Sequence, residues 1–319
     1  MIIISASSAE FFHFLQGMIL SIREKPEGRD QPLGCYDLGL TDVQRDWLGH
    51  HGVTLATPGW EFGLDENSGV PAPFRAILAR PHMPKYFPGH DIYMHMDADA
   101  WVQDWGAVEL YRRGAAGGIM AVTPEIDRAF ISNYGTSRSY HAFIIKVYTD
   151  LCGPEAAAKY QEYPILNTGV FAIPAGSPIW ERWSARIAES LSHGRNFHVE
   201  QASLNYELFE DFDRYVADGL QFLPSRCNWV CHQALPKLDT VTGLLVEPFL
   251  PNAPLGILHR ASDDFKQKKT GRVATLEGQF VEMNLKYREG NYETDLDTTE
   301  PEKLNRWQDA GFEWTEKQL

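Results

Sequence analysis

The chain opens on the apolar run Ile2-Ile3-Ile4, passes through the small polar stretch Ser5-Ala6-Ser7-Ser8, and then repeats Phe11, Phe14, Leu15, Met18 and Ile22 at helical spacing. This pattern predicts a strand, a loop and an amphipathic helix over residues 10–22. A second apolar run at residues 33–38 leads into Thr41 and Gln44, whose spacing is that of a helix capping box. A helix is expected over residues 42–50 and a third strand over 53–55. Strands alternating with helices in this rhythm predict a mostly parallel sheet.

Residues 57–73 carry Pro, Gly and charge without periodicity and read as a loop that covers a site. A short helix is expected over residues 74–80, then a Pro-rich turn over 81–88. The mostly apolar stretch 91–96 reads as a strand that stops abruptly at Asp97-Ala98-Asp99. Residues 118–122 and 169–173 read as buried strands. Ser177 and Pro178 mark the start of a helix whose Trp180, Trp183, Ile187 and Leu191 share one face and whose end is signalled by Gly194. Another helix is expected near Val199, through Leu204 and Leu208. From Lys286 the sequence turns polar and acidic; a capping box at Thr299 and Glu302 precedes a short helix with Leu304 and Trp307. Phe312 and Trp314 predict that this tail, residues 286–319, docks on the body.

The 319 residues suffice for one large α/β domain, and 44% hydrophobic with 23% charged residues is the balance of a globular chain. The expected division is 1–285 for the domain, with 1–105 binding nucleotide and 106–285 facing the acceptor. Asp and Glu outnumber Lys and Arg, 43 against 29, for a net charge of −14. That charge repels polyphosphate and argues against nucleic acid as a partner. An acidic protein that binds a phosphorylated ligand needs a local cation, and a divalent metal is the obvious one. No apolar run approaches the ~20 residues of a membrane-spanning helix. The start also lacks the basic residues and cleavage site of a signal peptide, so the expected location is cytoplasmic. Cys35, Cys152, Cys227 and Cys231 are too scattered for a disulfide scaffold. Cys227, Cys231 and His232 suggest zinc by proximity, yet their spacing matches no standard zinc site.

Two carboxylates one residue apart at a strand end can aim oxygens at a single Mg²⁺ or Mn²⁺, which in turn neutralises a diphosphate. Strand ends of parallel α/β sheets are also where ligands bind. Ser5, Ala6 and Ser7, at the end of the first strand, are placed to receive a base and ribose, and Arg75 to offset diphosphate charge.

At several ordered points over residues 1–270 the sequence resembles glycosyltransferase family 8, a GT-A group of glycogenin-like and bacterial lipopolysaccharide galactosyltransferase-like enzymes. Asp97-Ala98-Asp99 matches the metal-binding D-x-D of that family. Leu166-Asn167-Thr168-Gly169-Val170-Phe171 is similar to its Asn-x-Gly-Val segment, whose Asn faces the donor sugar. Glu200-Gln201-Ala202-Ser203-Leu204-Asn205 resembles its Asp-Gln-x-x-Leu-Asn helix start, with Glu200 in place of Asp, near the reacting sugar. Ile257-Leu258-His259 resembles the strand that delivers a metal-ligand His, and Lys266 stands near the place of a diphosphate-contacting Lys.

The resemblance implies a GT-A domain with Asp97, Asp99 and His259 as metal ligands and Asn167, Glu200 and Gln201 at the sugar. It further implies transfer of a hexose from a UDP-sugar to a glycan, lipid-linked or other hydroxyl acceptor, with retention of configuration. Two rivals remain at this point: a phosphohydrolase that also places Asp-x-Asp after a strand, and a catalytically silent nucleotide-sugar-binding protein on the same fold.

Overall fold

The computed structural model describes residues 1–71, 73–131, 137–261 and 271–290. Lys266 and the tail from 291 onward, with the predicted helix at Thr299–Trp307, lie outside the described residues.

Strand β1 (Ile2–Ser7), helix α1 (Phe12–Arg23), β2 (Leu33–Asp37), α2 (Asp42–His50) and β3 (Val53–Ala56) form the expected alternating unit. Thr41 and Gln44 cap α2 reciprocally, side chain to backbone in both directions, so the helix begins where the pattern predicts. The short helices α3 (Phe74–Ala79) and α4 (Met83–Tyr86) are joined by a tight turn at Arg80–His82 and lead into β4 (Ile92–Met96). Next come β5 (Ala100–Val102), α5 (Trp105–Ala116) and β6 (Met120–Pro124). Helix α6 (Ser137–Tyr160) is broken at Gly153, where φ is 86°, just before Pro154. It is followed by β7 (Leu166–Pro174), α7 (Ile179–His193), α8 (Val199–Glu210), α9 (Phe212–Ala217) and β8 (Leu220–Phe222). The Ser177 hydroxyl accepts from the Ile179 amide at 3.2 Å, but α7 starts one residue later than the signals predict, with Pro178 at the N-cap; Gly194 ends the helix as predicted.

Seven strands form the main sheet in the order β3-β2-β1-β4-β7-β6-β8. β7 runs antiparallel to both of its neighbours, and the other pairings are parallel. Alternation along the strands sends side chains to two cores. Ile2, Ile4, Phe171 and Ile173 pack with α3, α6, α7 and α8. Ile3, Val170 and Ala172 pack with α1 and α5 on the other face.

A second, three-stranded sheet determines the site. β9 (Trp229–Val230) pairs parallel with β12 (Ile257–His259), and β12 pairs antiparallel with β5, His259 opposite Ala100. The hairpins β10 (Lys237–Leu238)–β11 (Leu245–Val246) and β13 (Gly271–Ala274)–β14 (Phe280–Met283) flank it. Its own core includes Trp229, Leu258, Leu245 and Phe130. At the described start of the polar tail, Arg288 pairs with Glu24, just past the end of α1, at 2.6 Å, and immediately before the tail the Leu285 carbonyl accepts from the Trp101 indole of β5 at 2.9 Å. Among the described residues, no helix is long and apolar enough to cross a membrane.

Candidate active site

Asp97 stands where the chain leaves the main sheet. Its amide donates to the Gly169 carbonyl at 2.8 Å, one step beyond the last β4–β7 pair, Met96 with Val170. The chain then turns within Asp97-Ala98-Asp99 and enters the second sheet as β5. Because β12 pairs with β5, His259 arrives from the distant end of the sequence directly beside the two carboxylates. The His259 Nε2 lies 3.4 Å from Asp99 Oδ1 and 3.6 Å from Asp97 Oδ2. Among the described residues, these three are the one set of His, Cys, Asp and Glu donors gathered closely enough to share an ion.

The donor set fits a divalent cation. Two carboxylates and one imidazole are ligands suited to Mn²⁺ or Mg²⁺, and their spacing is that of groups around a common ion about 2 Å from each. Asp97 Oδ1 is already engaged, accepting from Arg80 Nη2 at 2.6 Å and bonded to His95 Nε2 at 3.0 Å, so Oδ2 is the oxygen turned toward His259. Gly169 keeps the space open. A Cβ at that position would lie 2.4 Å from His259 Cε1 and 2.9 Å from Asp97 Oδ2, inside the volume an ion needs.

Charge is balanced by a residue the sequence did not single out. Arg80, in the turn after α3, is partly buried and pairs with both Asp97 and, at 3.0 Å, Glu200. Burial pushes the Asp97 carboxyl up, and Arg80 with His95 outweighs that and holds it below the ordinary value. Burial and the nearby Arg80 charge lower His95 to about 4, so its ring is neutral at ordinary pH and donates through Nε2 to Asp97. Burial also lifts Glu200 to about 7, against the opposing pull of Arg80 and Thr168.

Glu200 and Gln201 lie in the first turn of α8, clamped against β7. Asn205 both accepts from the Leu166 amide and donates to the Leu166 carbonyl, and the Trp183 indole donates to the Glu200 carbonyl. Glu200 Oε2 accepts from Arg80 and Thr168, whereas Oε1 is buried with no hydrogen-bond partner among the described residues. Gln201 Oε1 accepts from the Thr168 amide at 3.1 Å. Asn167 pairs with Thr123 at an irregularity of the β6–β7 ladder, where the extra residues Thr168, Gly169 and Val170 lie on β7, and its side chain is buried in hydrogen bonds. Its Nδ2 donates to Glu125 at 2.7 Å, and its Oδ1 accepts from Asn228 and from the Gly169 amide.

The remaining predicted residues fall as follows. Ser5 and Ser7 are buried at the C-terminal end of β1, and Ala6 between them is partly exposed. Ala98 is partly exposed and joins Trp101 and Lys286 around a shallow pocket next to Asp99. Arg75 lies 5.5 Å over the Trp60 ring and donates to the Pro58 carbonyl; the guanidinium that reaches Asp97 and Glu200 belongs to Arg80. Cys227 and Cys231 are buried in separate apolar clusters and burial pushes both thiols up to about 12, which suits packing and not metal ligation.

The mostly parallel seven-stranded sheet flanked by helices is a GT-A glycosyltransferase fold, shared with solved structures. The galactosyltransferase LgtC, solved with donor and acceptor sugar analogues, matches with a TM-score of 0.54 at 16% identity, over 97% of this chain and 100% of that one. An active-site mutant of LgtC gives 0.55 at 14%, over the same shares. The bifunctional glycosyltransferase WbbM gives 0.51 at 14%, over 82% of this chain and 45% of that one. At such identities the likeness is one of fold. No protein-family profile and no curated protein sequence matches the chain.

Proposed function

We propose that this protein is a metal-dependent glycosyltransferase that moves a hexose from a UDP-sugar to a hydroxyl of a saccharide, lipid-linked or other acceptor, with retention of configuration. The observation that carries the reading is the convergence of Asp97 Oδ2, Asp99 Oδ1 and His259 Nε2 around a space that Gly169 leaves clear. The fold shared with LgtC, whose solved complex holds donor and acceptor sugar analogues, supports it.

Asp97, Asp99 and His259 would hold Mn²⁺ or Mg²⁺, which supplies charge neutralisation for the diphosphate and the leaving UDP. Arg80 keeps Asp97 ionised and oriented. Glu200 Oε1, buried and unpartnered, is suited to a hydroxyl of the donor sugar, since a buried oxygen left unpaired costs about 1–3 kcal/mol that a bound hydroxyl would recover. Gln201, whose Oε1 is held by Thr168, has its amide nitrogen to offer beside it. Asn167 is the neighbour of Thr168 on β7 and would act on the sugar from there. Ser5, Ala6 and Ser7 would meet the base and ribose, mainly through backbone groups, and Arg75 and Lys266 would meet the phosphates.

Retention is expected to proceed by attack on the same face the UDP leaves. Glu200 Oε2 is tied to both Arg80 and Thr168, and Oε1 is given to a sugar hydroxyl in this reading, so no nucleophile is assigned. A phosphohydrolase of the Asp-x-Asp type carries its motif on the first core strand, whereas here it follows β4, the fourth strand of the chain. Nothing observed favours a silent binding protein. In an assay of UDP release from UDP-hexoses with a panel of acceptors, Asp97→Ala is expected to lower turnover by at least about 100-fold, ~2.7 kcal/mol, while the protein stays folded. Undiminished turnover in the folded variant would sink the proposal, as would phosphate release from simple monoesters in place of sugar transfer.

A further inference from the structure

We propose that Asn228 is a positioning residue for His259: it fixes which ring nitrogen faces the carboxylates, at the end of a hydrogen-bond relay that begins at a backbone amide. The inference rests on the reading of Asp97, Asp99 and His259 as a cation site.

Donor and acceptor identities follow in sequence along the relay. The Gly169 amide can only donate, and it lies 2.9 Å from one side-chain amide atom of Asn167, which must therefore be the oxygen. The opposite atom of Asn167 lies 2.7 Å from a Glu125 oxygen, and a carboxylate only accepts, so that atom is the nitrogen. The two ends agree. The Asn167 oxygen also lies 2.8 Å from a side-chain atom of Asn228, which must then be the donating nitrogen. The other atom of Asn228 is left as the oxygen, 2.9 Å from His259 Nδ1. Nδ1 must carry the proton, and in the neutral ring Nε2 keeps the lone pair. Nε2 is the atom beside Asp97 and Asp99.

Asn228 is fully buried, as is the His259 ring, so water cannot substitute for either partner. Asn is the residue type the position demands, because it must accept from His259 and donate to Asn167 at once. Leu would satisfy neither neighbour. Asp would accept from Nδ1–H but could not donate to Asn167. Partners that orient a metal-binding imidazole in this way govern metal affinity without touching the metal. A sequence carries little trace of this role, since Asn228 lies far from His259 along the chain and is brought to it by the β9–β12 pairing.

Nitrogen NMR of the metal-free protein, labelled at histidine and assigned by the signal lost in His259→Gln, reads the tautomer directly. The wild type is expected to carry its proton on Nδ1 of His259, Asn228→Asp to retain that form, and Asn228→Leu to lose the preference. Calorimetric titration with Mn²⁺ is expected to give an affinity roughly 10–100-fold weaker in Asn228→Leu. A wild-type proton on Nε2 overturns the relay without any variant, and so does a folded Asn228→Leu that keeps both tautomer and affinity. A wild type that shows the Nδ1–H form yet binds no Mn²⁺ leaves the relay standing and overturns the cation site instead.

Discussion

Glu200 is the residue whose chemistry departs furthest from its ordinary behaviour. Burial raises its carboxyl from 4.5 to about 7, with Arg80 and Thr168 pulling against that rise. A group whose folded value lies above its unfolded one favours folding in its protonated form. The stabilisation is therefore complete below about pH 4.5 and is lost as pH rises toward 7. The melting temperature of the wild type, measured relative to Glu200→Gln, is expected to fall across that window; a constant difference would show that Glu200 titrates normally. At this scale the sequence was partly legible. Asp97 and Asp99 follow an apolar strand, and the family resemblance, not residue pattern alone, added His259 at the end of another; the structure gathers the three. Arg80 was not legible: Arg75 and Arg80 both belong to one short, charged stretch, and only the turn after Ala79 decides which guanidinium enters the cluster. Asn228 was hidden for the reason that its partners are all distant in the chain.

Elements predicted from local pattern largely match those observed, because a capping box, an alternating apolar face or a Pro–Gly boundary acts within a few residues. Helix α2 is the clear case, with both hydrogen bonds of its cap in place. The second sheet is the contrary case. Its strands β5, β9 and β12 are two or three residues long, and β12 pairs with β9 from the far side of a long loop and with β5 from more than a hundred positions away, so no local periodicity announces them. The reversed direction of β7 likewise follows from topology and not from its apolar sequence. Yet it is the β5–β12 pairing that brings His259 to Asp99. Gly256 sets the close approach of β12 to α5: a Cβ there would stand 2.4 Å from the Ala107 Cβ and 3.0 Å from the Arg226 carbonyl oxygen. Gly256→Ala is therefore expected to cost about 1–3 kcal/mol in chemical denaturation and to weaken Mn²⁺ binding by shifting His259. Gly176→Ala, where nothing lies within 4 Å, serves as the control and is expected to change neither. Equal effects of the two would detach the β12 position from the site.

The whole molecule bears a net charge of −14 and is proposed to bind a nucleotide diphosphate, itself an anion. Long-range electrostatics oppose that encounter, and a local cation with Arg80 beside it would offset the repulsion. Donor binding should then depend on the metal almost completely, which distinguishes this account from one in which the acidic cluster is a structural network of Arg80, His95 and carboxylates. The GT-A fold sets where such a ligand would sit, and the residues at the β4 end decide whether it does. The most direct measurement is calorimetric titration of the protein with UDP-hexoses in Mn²⁺ and after its removal by chelator, for the wild type and for His259→Ala of verified fold. The account predicts binding of at least one UDP-hexose by the wild type in Mn²⁺, and its loss both on chelation and in the variant. Binding that survives chelation and the His259→Ala change would contradict it.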